Sequence, residues 1–233
     1  MAETPRFAHF VVLLFLGCTF FIMVGSVVLL YASLRKSSVL ALASATTVGA
    51  LLVGYLGLLM GVSLLSPERT LAVGDRKYFC EVDCHMAYSV QSSYSASSFG
   101  PEPSPLVAKG VFVVVKLKTW FDPNSISKFR GDAPLAPNPR RPYLTDDTGH
   151  RFEPWHSIAS SAVDPGTPLT QPLRPGEFYF TNLIFDVTPG SRNLRLLLLS
   201  DCGPVSKLVI DDENSLLHKK IYLDLPPVRA VLP

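Results

Sequence analysis

Two stretches without a single charged residue, 10–33 and 39–65, set the strongest limit on what this chain can become. A helix needs about 20 apolar residues to cross the hydrocarbon core of a bilayer, and both stretches exceed that length. A cleaved secretory signal describes the first one poorly, because signal cores are shorter and no Lys- or Arg-rich segment precedes it. The residues between the two stretches, Leu34-Arg35-Lys36-Ser37-Ser38, read as a tight polar turn. The expectation is a transmembrane α-hairpin over residues 1–66, with membrane lipid as its surroundings. Gly49, Gly54, Gly57 and Gly61, with Ala43 and Ala45, lie along the second stretch. Gly57 and Gly61 form a G-x-x-x-G pair, and such residues let helix backbones approach closely. Their expected use is packing against the first helix, with dimerisation as the alternative.

A hairpin returns both of its ends to one side of the membrane. Arg35 and Lys36 favour a cytoplasmic turn, which puts the remainder of the chain outside. Arg6, Arg69, Arg76 and Lys77 flank the other ends and weigh against that orientation. The content of the remainder decides for the extracytoplasmic side: it is rich in proline and carries cysteines, as extracytoplasmic β domains often do.

The chain has 233 residues and 20 prolines, nearly all of the prolines beyond residue 66. Prolines in that number do not fit inside helices or central strands, so the remainder reads as short strands joined by loops. The formal net charge of +2, with Lys and Arg scattered along the chain, points away from nucleic acid as a partner. Residues 87–98 read as a strand running into a Ser-rich loop. Residues 109–120 give the clearest strand, with Val115, Leu117 and Thr119 alternating against Lys116 and Lys118. Two short β runs around Asp146-Asp147-Thr148-Gly149 read as a hairpin. Further strands are expected at 178–187, 194–199, 207–210 and 217–225, and Val113, Val115, Leu117, Phe180, Ile184, Leu196 and Leu198 are the expected core. Seven or eight strands at this spacing suggest an all-β immunoglobulin-like sandwich over 107–233, to which the Cys-containing connection at 67–106 contributes a first strand.

The order of these pieces resembles a bacterial family of Ig-like domains of unknown function, carried on lipoproteins and membrane-anchored surface proteins and sometimes labelled telomeric-repeat-factor-like. Its members run from a hydrophobic strand through a Leu-x-Asp-x-x-Gly hairpin and a Leu-x-Pro-Gly-Glu turn to a strand ending in Phe-Asp-Val/Ile-Pro. The similar pieces here are 111–120, Leu144-Thr145-Asp146-Asp147-Thr148-Gly149, Leu173-Arg174-Pro175-Gly176-Glu177 and Phe185-Asp186-Val187-Thr188-Pro189. These are turn motifs; the resemblance implies the fold and a surface interaction module, and no chemistry. The two-helix anchor and a Cys-rich segment depart from the family pattern.

That segment, Phe79-Cys80-Glu81-Val82-Asp83-Cys84-His85-Met86, is the one stretch dense in reactive side chains. Cys80 and Cys84 on one strand would lie about 13 Å apart, too far for a disulfide, so they meet only if the chain turns. The string is one residue longer than the haem-attachment motif C-x-x-C-H. Thiolate, imidazole and thioether are also ligands that copper prefers, and zinc accepts the first two. A helix hairpin before a β domain resembles cytochrome oxidase subunit II, although there the copper loop lies near the C-terminus with different His and Met spacing. The structural reading is expected first: a local disulfide, a bridge to Cys202, or buried thiols. A metal or haem site using Cys80, Cys84 and His85 is the alternative, thiol redox a third. His150, His156 and His218 read as surface residues, and Asp211, Asp212 and Glu213 as a solvated acidic turn with calcium as the alternative. No nucleophile elbow or Gly-rich phosphate loop is present. The reading is therefore non-enzymatic: an extracytoplasmic interaction or structural module of the cell envelope, without a cofactor and with a protein partner in or on the membrane. The alternatives are an electron-transfer or metal-handling membrane protein, and an accessory subunit of a larger membrane complex.

Overall fold

The computed structural model describes residues 2–3, 8–79, 85–100, 105–155, 163–200, 203–227 and 229–230. They divide into two compact units. One comprises Glu68–Cys202 with both chain termini, and the other Pro5–Pro67 with the later segment Gly203–Lys219.

The second unit is built on the apolar stretches. Helix α1 spans Ala8–Leu34 and α2 spans Ser38–Leu65, about 40 Å each at 1.5 Å per residue. Both are long and apolar enough to cross a membrane. The turn between them closes with Ser37 N donating to Ala32 O and Lys36 N to Ser33 O, the paired bonds of a Schellman motif, with Lys36 in the left-handed region at φ 52°. Large apolar side chains face outward around both helices, Leu13 at 67% and Leu42 at 71% exposure among them. Five hydroxyls on these surfaces, those of Thr19, Ser26, Ser33, Thr46 and Thr47, donate to the carbonyl four residues back. That arrangement satisfies a hydroxyl where no water is at hand. The helices pack tightly at Gly25, where an added Cβ would lie 2.6 Å from Val48 Cγ2. Around Gly49, Gly54, Gly57 and Gly61 a Cβ would meet nothing within 4 Å. The expected packing of those glycines against α1 is therefore incorrect: a small residue of α1 makes the close approach.

The first unit is a β-sandwich. Its larger sheet runs β1 (Ala2–Glu3), β3 (Arg76–Tyr78), β4 (Met86–Phe99), β5 (Leu106–Phe121) and β8 (Phe178–Val187), with β11 (Arg229–Ala230) also pairing β4. The smaller runs β2 (Arg69–Leu71), β10 (Ile221–Asp224), β9 (Arg195–Ser200), β6 (Arg140–Thr145) and β7 (Arg151–Phe152). Alternation along the strands sends one face of each sheet into a shared core: Tyr88, Val90, Val113, Val115, Leu117 and Phe185 from one, Leu144, Leu196, Leu198 and Leu223 from the other. Each of these side chains contributes about 1.5–3 kcal/mol by leaving water. A register shift between Val90 and Ser92 changes the phase of β4, so Ser93 pairs Val115 where Val90 pairs Leu117. The extra residue is a β-bulge, and it keeps both halves of the long strand facing the core.

Several expectations need correcting. On β8 the residues in the shared core are Tyr179, Leu183, Phe185 and Val187, one position out of step with the expected Phe180 and Ile184. Ile184 is buried on the opposite face with Phe112 and Val114, where Trp155 and Val163 pack over them. Phe180 is half-buried there. Both faces of β8 carry apolar residues, so alternation alone does not choose between them. The expected strand at 207–210 does not form. Residues Pro204–Leu208 make a 3-10 helix instead, started by a proline at its first turn. Conversely β4 continues through the serines of 92–98, held by pairing to β5 on one side and β11 on the other.

Candidate functional site

The outer face of the larger sheet carries a regular ladder of cations and rings. On β5 the residues opposite the core-facing Val115, Leu117 and Thr119 are Lys116, Lys118 and Trp120. Cα pairing sets Trp120 beside Phe178, Lys118 beside Phe180 and Lys116 beside Asn182. Each lysine crosses to the ring one pair along: Lys118 Nζ lies 4.1 Å from the centroid of Phe178, and Lys116 Nζ 4.5 Å from that of Phe180. Arg76 of β3 completes the series, its guanidinium 4.0 Å from the Trp120 ring. Each such contact adds about 0.5–1 kcal/mol at an exposed position and fixes a flexible side chain. No ion pair involving Arg76, Lys116 or Lys118 is found among the described residues. At the end of this face Tyr78 donates to Asp122 Oδ2 at 2.6 Å. Burial pushes the Tyr78 phenol up to about 12, and the bond to the Asp122 carboxylate adds to the shift. The ladder is thus three pre-oriented positive charges on an aromatic floor, suited to an acidic partner surface.

A second feature is an open depression of about 690 Å³ lined by Lys109, His150, Phe152, Glu153, Trp155 and Asp186, among others. Glu153 and Trp155, just after β7, form part of its wall, and the free edge of β8 is paired at two points: Trp155 N donates to Ile184 O at 2.7 Å and Thr167 N to Phe180 O at 2.8 Å. That cover removes an exposed sheet edge. The Trp155 ring meets Phe112 edge-on at 5.0 Å, and His150 leans on Phe152 at 4.6 Å. The depression mixes two carboxylates, an ammonium and an imidazole.

Of the expected metal ligands, Cys80 and Cys84 lie outside the described residues, as do Cys202 and His156. His85 is buried; its Nδ1 sits 2.8 Å from Ser125 Oγ and its ring stacks on Phe121 at 5.6 Å. Among the described residues no group of three His, Cys, Asp or Glu side chains could hold a metal ion. Asp211, in the expected acidic turn, lies 3.6 Å from His218 Nε2.

Two cations take up positions between the sheets that their local sequence does not announce, Lys77 buried and Arg140 half-buried. Lys77 is only 2% exposed, and its ammonium donates to Leu198 O at 3.0 Å and Ile221 O at 2.7 Å, tying β3 to the other sheet. Arg140 lies on the Phe79 ring at 4.1 Å and donates to Ser200 Oγ at 2.5 Å. Nothing in the local sequence marks either one, since Lys77 follows Arg76 in a polar stretch and Arg140 precedes Arg141.

No protein family and no curated protein matches the chain. Among solved structures it is similar to MPT63, a secreted protein from Mycobacterium tuberculosis, at 10% identity and a TM-score of 0.43, over 68% of this chain and 98% of that one. It is also similar to an uncharacterized beta-sandwich protein from Clostridium difficile 630, at 9% identity and a TM-score of 0.39, over 69% of this chain and 96% of that one.

Proposed function

We propose that this chain is a membrane-anchored interaction module of the cell envelope: α1 and α2 span the bilayer, and an immunoglobulin-like sandwich meets a protein partner on the extracytoplasmic side. The observation that carries the reading is the surface of the two helices. They are uncharged for more than 20 residues each, their large apolar side chains point outward, and their outer hydroxyls are turned back onto the backbone. Such a surface is stable in lipid and unstable in water. The partner is acidic where it meets Arg76, Lys116 and Lys118, because fixed charges favour an oppositely charged surface and repel a like one.

Blue-native electrophoresis of gently solubilised native membranes tests this. The parent chain should migrate within a larger complex, and Lys116→Glu/Lys118→Glu should return it to the position of the free chain. A parent chain that runs alone, or a double variant that stays in the complex, contradicts the reading.

A further inference from the structure

The segment between β9 and β10 does not belong to the sandwich. Residues 203–219 leave it and lie along α2, joined at three heights. Tyr55 Oη donates to Leu208 O at 2.6 Å, the Ser63 and Ser215 hydroxyls are 3.2 Å apart, and Lys219 N donates to Ser66 Oγ at 2.9 Å. The segment doubles back on itself, with Leu216 N donating to Lys207 O at 3.1 Å. Asp211 and Leu217 hold left-handed φ of 61° and 64° to do so, an uncommon conformation for a leucine. Strain of this kind persists only where surrounding contacts impose it.

The heights matter. Tyr55 lies about 27 Å along α2 from the turn at Ser37, at 1.5 Å per residue. A hydrocarbon core is about 30 Å thick. With the polar turn at one face of that core, Tyr55 falls at the other boundary, where amphipathic tyrosines concentrate. The rest of α2, about 15 Å from Tyr55 to Leu65, is longer than the core requires. Leu208 therefore sits at the depth where acyl chains give way to headgroups. Its 3-10 helix, Pro204–Leu208, turns Ser206 inward, with Ser206 Oγ donating to Gly203 O, and turns Val205 and Leu208 outward at 54% and 41% exposure. Lys207, between them, is exposed and carries the charge suited to lipid phosphates.

We propose that the 3-10 helix Pro204–Leu208 is a membrane-interface contact that seats Val205 and Leu208 among lipids at the acyl–headgroup boundary, a third point of membrane attachment beside the two helices. It rests on the reading of α1 and α2 as spans. The test uses the full chain in nanodiscs of phosphatidylethanolamine and phosphatidylglycerol. A photoreactive p-benzoylphenylalanine replaces Val205, Leu208, Leu52 of α2 or Asp147 of the sandwich, one at a time, and lipid adducts are measured by mass spectrometry. Adduct yields at positions 205 and 208 should match that at 52 and exceed that at 147 several-fold. Strong adducts at 52 with only the level of 147 at 205 and 208 would overturn the interface contact and leave the spans standing. Background yield at 52 would overturn the spans and the contact together.

Discussion

The Asp186 carboxylate caps the backbone at Gly110: Oδ1 accepts from Gly110 N and Oδ2 from Lys109 N, both at 2.9 Å. At that point β5 begins its pairing with β8, and the two backbones come unusually close. A Cβ on Gly110 would stand 2.1 Å from Val187 O. The Phe-Asp-Val ending of β8 is thus a structural device, with an aspartate that organises the neighbouring strand.

Gly110→Ala should destabilise the sandwich by about 1–3 kcal/mol, because the atom it meets is backbone and has to shift. Asp186→Ala should cost a similar amount, about 1–3 kcal/mol, by leaving two N–H donors without their acceptor. Urea unfolding of the detergent-solubilised chain, followed by tryptophan fluorescence, measures both. A neutral Gly110→Ala would show that the strands do not approach this closely.

The core face of β8 gives a second expectation. Leu183→Ala should cost about 2–5 kcal/mol, since it empties space between the two sheets, and Phe180→Ala clearly less. The same unfolding measurement orders the two; the reverse order would restore the register expected from the sequence.

The β6–β7 turn predicts a pH dependence. Asp146 Oδ1 accepts from the Thr148 hydroxyl at 2.7 Å, the His150 amide at 2.9 Å and the Thr148 amide at 3.0 Å, and Ser191 Oγ donates to Oδ2 at 3.3 Å. The Thr148 hydroxyl first, then these other donors, hold its carboxyl below the ordinary aspartate value of 3.8, against a smaller upward push from burial. A group whose pKa is lowered on folding contributes stability above its unfolded value and loses it as pH falls through its folded value. The parent should therefore lose stability below about pH 4 more steeply than Asp146→Asn, whose amide oxygen keeps the three bonds made to Oδ1, whose amide nitrogen replaces the acceptor of the Ser191 bond, and which does not titrate. Equal slopes in acid would remove Asp146 from the account.

In the hairpin, the close approach belongs to Gly25. Gly25→Val should weaken α1–α2 packing and lower the midpoint of thermal unfolding in detergent, whereas Gly57→Ala and Gly61→Ala should leave it unchanged or raise it slightly through helix propensity. A large loss at Gly57 or Gly61 would show that this glycine face is packed against something.

Much of the fold could be read from residue patterns because one physical signal dominated locally. Charge-free length marked α1 and α2, and the alternation of Val115, Leu117 and Thr119 with Lys116 and Lys118 marked β5 and its buried face. The pattern failed where two signals competed. β8 is apolar on both faces, so the choice between Phe180 and Tyr179 depended on what covers each face, which is a tertiary fact. Residues 207–210 have strand-like composition, but a 3-10 helix begins at Pro204 and runs to Leu208, and a turn follows it. The cation–ring ladder was invisible for a different reason. Arg76, Lys116 and Phe178 are far apart in the chain and become neighbours only through sheet order, so a sequence with scattered charge still builds a charged stripe. His85 stood out by composition, and its surroundings of Ser125 and Phe121 come from a distant strand end and its turn.

The central claim is a two-span anchor with the sandwich outside, and labelling single introduced cysteines in intact cells tests it most directly. Asp147→Cys, on the exposed β6–β7 turn, and Lys36→Cys, in the turn between the helices, are compared with the parent using a membrane-impermeant maleimide. Labelling above the parent level is expected at Asp147→Cys in intact cells, and at Lys36→Cys only after permeabilisation. The reverse pattern would place the sandwich in the cytoplasm, and labelling of both in intact cells would contradict a membrane-spanning hairpin.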